Sequence, residues 1–240
     1  MSGHSKWSTI KRKKGAIDAE RGKVFAKLAK EIYVAAKSGD SDPANNAALR
    51  MVIEKAKAEN MPKSNIQNAI DKAKQKGNGE NYESVRYEGY GPQGMAIMID
   101  CLTDNRNRTA SFVRSTLTKR GGNLGTDGSV SYMFERRGSI VIPADYDEDT
   151  MMMTSLDAGA MDFEKVENTY VITTDTTNFV PVKEALEKEN VKEFLECELT
   201  YIPNMEVELD EEGQEKVMKL VDTLEDLDDV QDVYYNLKED

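Results

Sequence analysis

The spacing of apolar residues changes once along the chain, and that change limits the fold more than any other feature. Up to Gly77 apolar residues recur every three or four positions, as on one face of a helix; after Gly77-Asn78-Gly79 they alternate, as in half-buried strands. A helical part followed by an α/β part is expected. In the first helix, about Ala16 to Lys37, Phe25, Leu28, Ile32 and Ala35 share a face, and Gly39 supplies a stop. Ser41 or Asp42 with Pro43 opens a second helix carrying Leu49, Val52, Ile53 and Ala56. Pro62 and the capping-box spacing Ser64-x-x-Gln67 open a third, with Ile66, Ala69, Ile70 and Ala73 on one face and Gly77 as its end. These make a helical domain over residues 16–80. Ahead of it, residues 2–15 hold only Trp7 and Ile10 as large apolar side chains, too little to bury, so a flexible basic arm is expected over residues 1–15.

Beyond Gly79, Val85–Tyr90 and Met95–Leu102 read as strands, Arg106–Lys119 as a helix and Val130–Phe134 as a strand. Near the C-terminus, Glu206–Leu209 reads as a strand, Glu211–Glu225 as a helix with Val217, Leu220, Val221 and Leu224 on one face, and Val230–Tyr235 as a strand. Together these give the β-α-β…β-α-β order of a split βαβ, or ferredoxin-like, unit. The stretch between repeats it: strand Ser139–Ile142, helix Asp147–Ala158, strands Met161–Val166 and Thr169–Thr173, helix Val180–Glu189, strand Phe194–Ile202. The fold class expected is therefore α+β and multidomain. A three-helix domain is followed by two ferredoxin-like α/β domains, residues 138–202 being inserted into a unit made of 81–137 and 203–240. One continuous sheet covered by several helices is the alternative. A length of 240 residues suits two or three small cores.

Scarce residues exclude much chemistry. His4 is the only histidine and lies near the terminus, so Ser-His-Asp triads, Cys-His dyads and histidine-rich zinc sites are poorly supported. Cys101 and Cys197 sit in apolar, strand-like runs without CxxC spacing and read as buried reduced thiols. No catalytic residue, metal site or cofactor is expected. No apolar run exceeds five residues, as at Ile32–Ala36 and Met95–Ile99, against about 20 for a membrane-spanning helix. The N-terminus has no hydrophobic stretch that could act as a secretory signal. A cytoplasmic protein is expected.

Charge is distributed unevenly. Residues 1–80 carry 17 Lys+Arg against 9 Asp+Glu, residues 81–142 carry 8 against 6, and residues 143–240 carry 7 against 29, so a net charge of −12 conceals a basic N-terminal third. Such a third can bind polyanion while the acidic end repels it. The arm places Lys6, Lys11, Arg12, Lys13 and Lys14 around Trp7, which is placed either to stack on an unpaired base or to staple the arm to the helical domain. Lys23, Lys27, Lys30 and Lys37 fall within roughly 80° at 100° per residue, opposite the Phe25/Leu28/Ile32 face. Phosphate contact is the favoured reading of arm and stripe together, a solvated helix face the other. In Thr103-Asp104-Asn105-Arg106-Asn107-Arg108-Thr109, Thr103 or Asp104 can cap the helix, and Arg106 and Arg108 beside free helix amides suit RNA or phosphate.

Other motifs read as structure. Gly89-Tyr90-Gly91-Pro92-Gln93-Gly94 has dinucleotide-site spacing but is followed by a strand, so a hairpin turn is expected. Gly121-Gly122-Asn123-Leu124-Gly125 follows a helix and reads as its stop and a loop. Asp145–Asp149 imitates a calcium loop but has Thr150 where Gly belongs and Leu156 where Glu belongs, so an acidic helix start is expected. Met151-Met152-Met153 reads as core filling with one exposed member.

Gly3-His4-Ser5-Lys6-Trp7, Ile10-Lys11 and the basic run, Asn60-Met61-Pro62-Lys63, Tyr87–Pro92, Leu102–Thr109 and Gly121–Gly125 together resemble the YebC family, most strongly over residues 3–137. Its mitochondrial relatives are known as translational activators of cytochrome c oxidase. The resemblance implies a helical domain and two α/β domains, no known catalytic activity, and nucleic acid as partner. Members are named probable transcriptional regulators, which implies DNA. Mitochondrial and some bacterial members are tied to translation, including relief of ribosomes stalled on proline-rich stretches, which implies ribosomal RNA and the ribosome. The chain departs from the commoner pattern with Lys and Arg rather than His in Lys11–Lys14, and with a Lys/Gln-rich end to the third helix. A match that begins at the third residue leaves no room for a mitochondrial presequence and favours a bacterial-type protein. The expectation is a non-enzymatic, DNA-binding transcriptional regulator. A ribosome-bound translation factor is the rival, a small-molecule enzyme the remote alternative, and the acidic C-terminal domains are free to meet a protein partner. No recognition helix is evident from sequence.

Overall fold

The computed structural model describes the backbone of residues 3–75 and 81–238 and the side chains of residues 21–75 and 81–238. In chain order the elements are α1 (Gly3–Ser38), α2 (Ala47–Ala58), α3 (Lys63–Lys74), β1 (Glu83–Tyr90), β2 (Ala96–Thr103), α4 (Arg106–Lys119), β3 (Asn123–Leu124), β4 (Phe134–Pro143), α5 (Glu148–Asp157), β5 (Ala160–Val166), β6 (Thr169–Thr174), α6 (Phe179–Lys188), β7 (Glu196–Pro203), α7 (Glu211–Glu225) and β8 (Val230–Tyr235). They divide into two compact units, one built on Gln75–Glu135 with Ile202–Glu239, the other on Ser2–Lys74 with Arg136–Tyr201.

The second of these begins with the three helices. Leu28, Ile32 and Ala36 of α1 meet Leu49, Ile53 and Ala56 of α2 and Ile66, Ala69 and Ile70 of α3 in one buried cluster. The helix faces match their sequence periodicity, but the starts do not. The α1 backbone is helical from Gly3 rather than Ala16: no proline interrupts residues 3–15, Lys and Arg are good helix formers, and a single Gly15 costs only about 1 kcal/mol against Ala. Helix α2 is capped by Asn46, not by Ser41 or Asp42. The Asn46 carboxamide oxygen accepts from Leu49 N at 3.0 Å while its nitrogen donates to Ala35 O at 2.9 Å and Asp40 O at 2.7 Å, so one side chain starts α2 and fastens it to the end of α1. In α3 the expected capping box does not form, because Gln67 reaches forward to Asp71 at 2.9 Å.

In the same unit, the sheet order β5-β6-β4-β7 around α5 and α6 is that of a ferredoxin-like fold. Ile140, Ile142, Tyr170, Ile172, Phe179, Val182 and Leu186 fill its core. Half-buried ion pairs link this part to the helices: Lys55 lies 3.4 Å from Glu31 and 3.3 Å from Glu198, and Lys183 lies 3.3 Å from Glu54 and 2.7 Å from Glu187. Cys197 is buried nearby; desolvation pushes its thiol up to about 12, although Lys183 pulls the other way. Asp147 caps α5 by accepting from Thr150 N at 2.9 Å, so the acidic stretch is a helix start. Of the three methionines only Met151 is buried; Met152 and Met153 are both exposed, one more than expected, because a helix turns 100° per residue.

In the first unit the sheet order is β3-β1-β2-β8, with α4 and α7 over one face. Ile97, Ile99 and Cys101 of β2 meet Val113 and Leu117 of α4 and Val217, Leu220, Val221 and Leu224 of α7. This sheet is also ferredoxin-like, but two strands differ from expectation. The edge strand after α4 is Asn123–Leu124, not Val130–Phe134, where a single 3-10 turn at Ser131–Met133 leads into β4. Glu206–Leu209 makes only one bridge, Val207 to Leu237. The strand position it was to fill is taken by β1, paired antiparallel with β2 from Glu83↔Thr103 to Tyr90↔Ala96. The tight turn at Pro92–Gly94 makes that pairing local and therefore entropically cheap. Arg86 braces the hairpin with a two-pronged pair to Asp100 at 2.6 and 2.7 Å.

The glycine motifs serve backbone contact here. A Cβ on Gly89 would lie 2.5 Å from Asn123 O, and one on Gly122 would lie 2.4 Å from Tyr90 O, so these two residues let β3 close on β1. The loop after β3 is held by Glu88, a buried carboxylate that accepts from the amides of Gly128 and Val130 at 2.8 Å and Ser131 at 2.7 Å. Burial pushes its pKa up, but the backbone hydrogen bonds outweigh burial and hold it below the ordinary value.

Candidate nucleic-acid interface

The sequence-predicted residues fall on two helices. Lys6, Trp7, Lys11, Arg12, Lys13 and Lys14 belong to the helical backbone of α1, and their side chains lie outside the described residues. Lys23 is exposed, and Lys27 and Lys30 are half-buried, on the side of α1 opposite Leu28, Ile32 and Ala36. Farther along, the Nζ atoms of Lys37 from α1 and Lys72 from α3 lie 5.4 and 5.7 Å from the centroid of the buried Tyr33 ring. The basic surface thus extends from α1 to α3.

The second group surrounds the joint between β2 and α4. The N-cap is Asn105, whose side chain accepts from Arg108 N at 3.0 Å; neither Thr103 nor Asp104 caps, because Asp104 pairs with Arg108 and Thr103 serves a different hub. That hub is Asp229, which accepts from the Thr109 hydroxyl at 2.7 Å, from Thr103 at 3.3 Å and from Arg108 Nη2 at 2.8 Å. Asp104 lies 2.7 Å from the same Arg108 nitrogen. The hydrogen bonds that Arg108 donates to Asp229, then to Asp104, raise its pKa and keep the guanidinium charged. Arg108 therefore closes a carboxylate cluster, while Arg106 points outward, its side chain 65% exposed and 3.8 Å from Glu83.

Sequence reasoning passed over the rest of α4. Phe112 is 52% exposed, and Arg114, Lys119 and Arg120 are exposed or half-exposed and make no ion pair among the described residues. A helical wheel signals the first of these, since Phe112 stands about 100° from Val113, a member of the buried line Thr109–Val113–Leu117. No group of three or more His, Cys, Asp or Glu among the described residues is arranged to hold a metal ion, and no described helix is long and apolar enough to cross a membrane.

A helical bundle with a lysine face and two four-stranded ferredoxin-like sheets define an α+β multidomain chain. Residues 5–76 match the "TACO1/YebC protein N-terminal domain" and residues 82–237 the "TACO1/YebC second and third domain", and the chain belongs to that family. It is 56% identical to a probable transcriptional regulatory protein of Geobacillus sp. (strain WCH70), over 100% of this chain and 98% of that one. It is 53% identical to a protein of the same name from Geobacter sulfurreducens, over 98% and 95%. The crystal structure of a conserved hypothetical protein from Aquifex aeolicus superposes with a TM-score of 0.82 at 46% identity, covering 92% of this chain and 91% of that one.

Proposed function

We propose that the protein is a non-enzymatic regulator that binds nucleic acid through the lysine face of α1, with DNA as its target in transcriptional control. The observation that carries this reading is the placement of Lys23, Lys27 and Lys30 opposite the buried face of a helix in the basic third of an otherwise acidic chain. DNA is favoured by the names of the relatives, and by α3, which follows α2 after a short turn and has Asn65 and Asn68 on its exposed side, a residue type suited to adenine edges. Ribosomal RNA is the second reading, favoured by the outward Arg106 at a loop-to-helix joint of the other unit. Changing Lys23, Lys27 and Lys30 together to Gln should weaken binding alike across unrelated sequences. It should also make the log–log salt slope shallower by up to about 2.7, at roughly 0.9 per lost phosphate contact on duplex DNA. A changed sequence preference with an unchanged slope would contradict phosphate gripping by this face. Crosslinking in cells followed by sequencing separates promoter DNA from ribosomal RNA.

A further inference from the structure

Helix α4 differs in charge from every other α-helix described above. Its 14 residues include Arg106, Arg108, Arg114 and Lys119 and no carboxylate, whereas each of the other six has at least one Asp or Glu. Arg108 is neutralised by Asp229 and Asp104. Arg114, Lys119 and the C-capping Arg120 have no such partner among the described residues, in a chain whose net charge is −12. The outward face of α4 is thus a cationic surface on a unit that contains much of the acidic C-terminal stretch.

In the middle of this face stands an aromatic ring. At 100° per residue, Arg108, Phe112, Ser115 and Lys119 fall within roughly 60° around the axis, and at 1.5 Å per residue Lys119 lies about 10.5 Å along the helix from Phe112. A lone exposed phenylalanine is ordinary on a protein surface. Its position in line with Lys119 and the Ser115 hydroxyl, on a helix without acids, is not. An aromatic face flanked by positive charge is the pattern that binds unpaired nucleic acid, where bases stack and phosphates pair. A duplex offers phosphates to the cations but seals its base faces from Phe112.

We propose that the outward face of α4 is a second nucleic-acid contact, taking an unpaired strand: a base stacks on Phe112 while the neighbouring phosphate meets Lys119, with the Ser115 hydroxyl beside them. This rests on the nucleic-acid reading above but assigns a different face, a different residue set and a single-stranded ligand.

The test uses the full-length chain and fluorescence anisotropy with labelled single-stranded RNA, single-stranded DNA of the same sequence and the matching duplex, with polyglutamate as a competing acidic polymer. Phe112→Ala should weaken single-strand binding about tenfold or more, Phe112→Trp should retain it, and duplex binding should change less than about twofold. Lys119→Gln should make the single-strand salt slope shallower by about 0.7. Phe112→Ala binding all strands like the wild type would overturn the inference, as would an equal loss on duplex or displacement of the single strand by polyglutamate at equal charge. If Lys23, Lys27 and Lys30 prove necessary while Phe112 does not, the α4 assignment alone falls. If the wild-type chain binds none of the three probes, the nucleic-acid reading falls and takes this one with it. Preference between the RNA and DNA strands decides which unpaired strand is held.

Discussion

The Asp229 carboxylate accepts the Thr109 hydroxyl at 2.7 Å across 120 residues of sequence, fastening the start of α4 to the turn before β8. Both residues are buried, and Arg108 and Thr103 share the same carboxylate oxygen. Asp229→Ala removes the carboxylate that two buried hydroxyls and the Arg108 guanidinium share, leaving Arg108 with Asp104 alone, so a loss of about 1–3 kcal/mol is expected in urea unfolding. Arg108→Ala should lower stability by a smaller amount because its head is partly solvated, and Arg106→Ala should leave it within about 0.5 kcal/mol. Binding should follow the opposite order, with Arg106→Ala the more damaging. Equal binding losses at unchanged stability for the two arginine variants would refute the division into a brace and an outward cation.

Glu88 makes a pH prediction with a definite sign. Its folded pKa is below the ordinary value, so its contribution is present above the unfolded carboxylate pKa of about 4.3 and is lost as pH falls through the folded pKa. Glu88→Gln presents an N–H group to a loop whose three amides need acceptors, and should cost about 1–3 kcal/mol at pH 7. The gap between wild type and variant should narrow in acid below that window. A gap that stays constant from pH 7 to pH 3 would show that the ionised form carries no special stabilisation.

Two glycines should respond to alanine in opposite directions. Gly22 lies within α1, and nothing stands within 4 Å of the point that an added Cβ would occupy, so Gly22→Ala should stabilise by about 0.5–1 kcal/mol through helix propensity and a stiffer unfolded chain. At Gly122 the added carbon would meet Tyr90 O at 2.4 Å, and Gly122→Ala should destabilise by about 1–3 kcal/mol while loosening β3 from β1. Thermal melts of the two variants against wild type check both signs, and a stabilised Gly122→Ala would deny the close approach.

The parts of the fold legible in the sequence were those set by local periodicity. Leu28 and Ile32, Leu49 and Ile53, and Val217, Leu220, Val221 and Leu224 all occupy the buried faces that their spacing indicates, because a helix stripe is a property of one segment. Strand placement was less legible because pairing is decided between segments. Glu206–Leu209 alternates as a strand should, yet β1 reaches the available edge of β2 through a tight turn and leaves it one bridge. Caps were ambiguous for a similar reason. Asp104 and Asn105 are equally good cap types, and Asn105 takes the role while Asp104 pairs with Arg108, which also binds a carboxylate 121 residues away. At the candidate interface, cations could be counted from sequence, but what separates a neutralised Arg108 from Lys119, which has no ion pair among the described residues, exists only once Asp229 is in place.

The arm provides the last prediction. The described core of the helical part begins at Val24 and Phe25 of α1, packed against Leu49, Ile66 and their neighbours. Residues 2–14 contribute Lys6, Lys11, Arg12, Lys13 and Lys14 in charge. Deleting residues 2–14 should therefore leave the melting temperature within a few degrees while reducing the helical circular-dichroism signal, because the α1 backbone is helical from Gly3. Binding to duplex should weaken strongly, and the salt slope should become shallower by up to about 4.5, at roughly 0.9 for each of five cations that meets a phosphate. Intermediate slopes count how many of them do. Unchanged binding at moderate salt would remove the arm from the interface and leave Lys23, Lys27 and Lys30 to carry the grip, whereas loss of a cooperative melt would show that the segment belongs to the core.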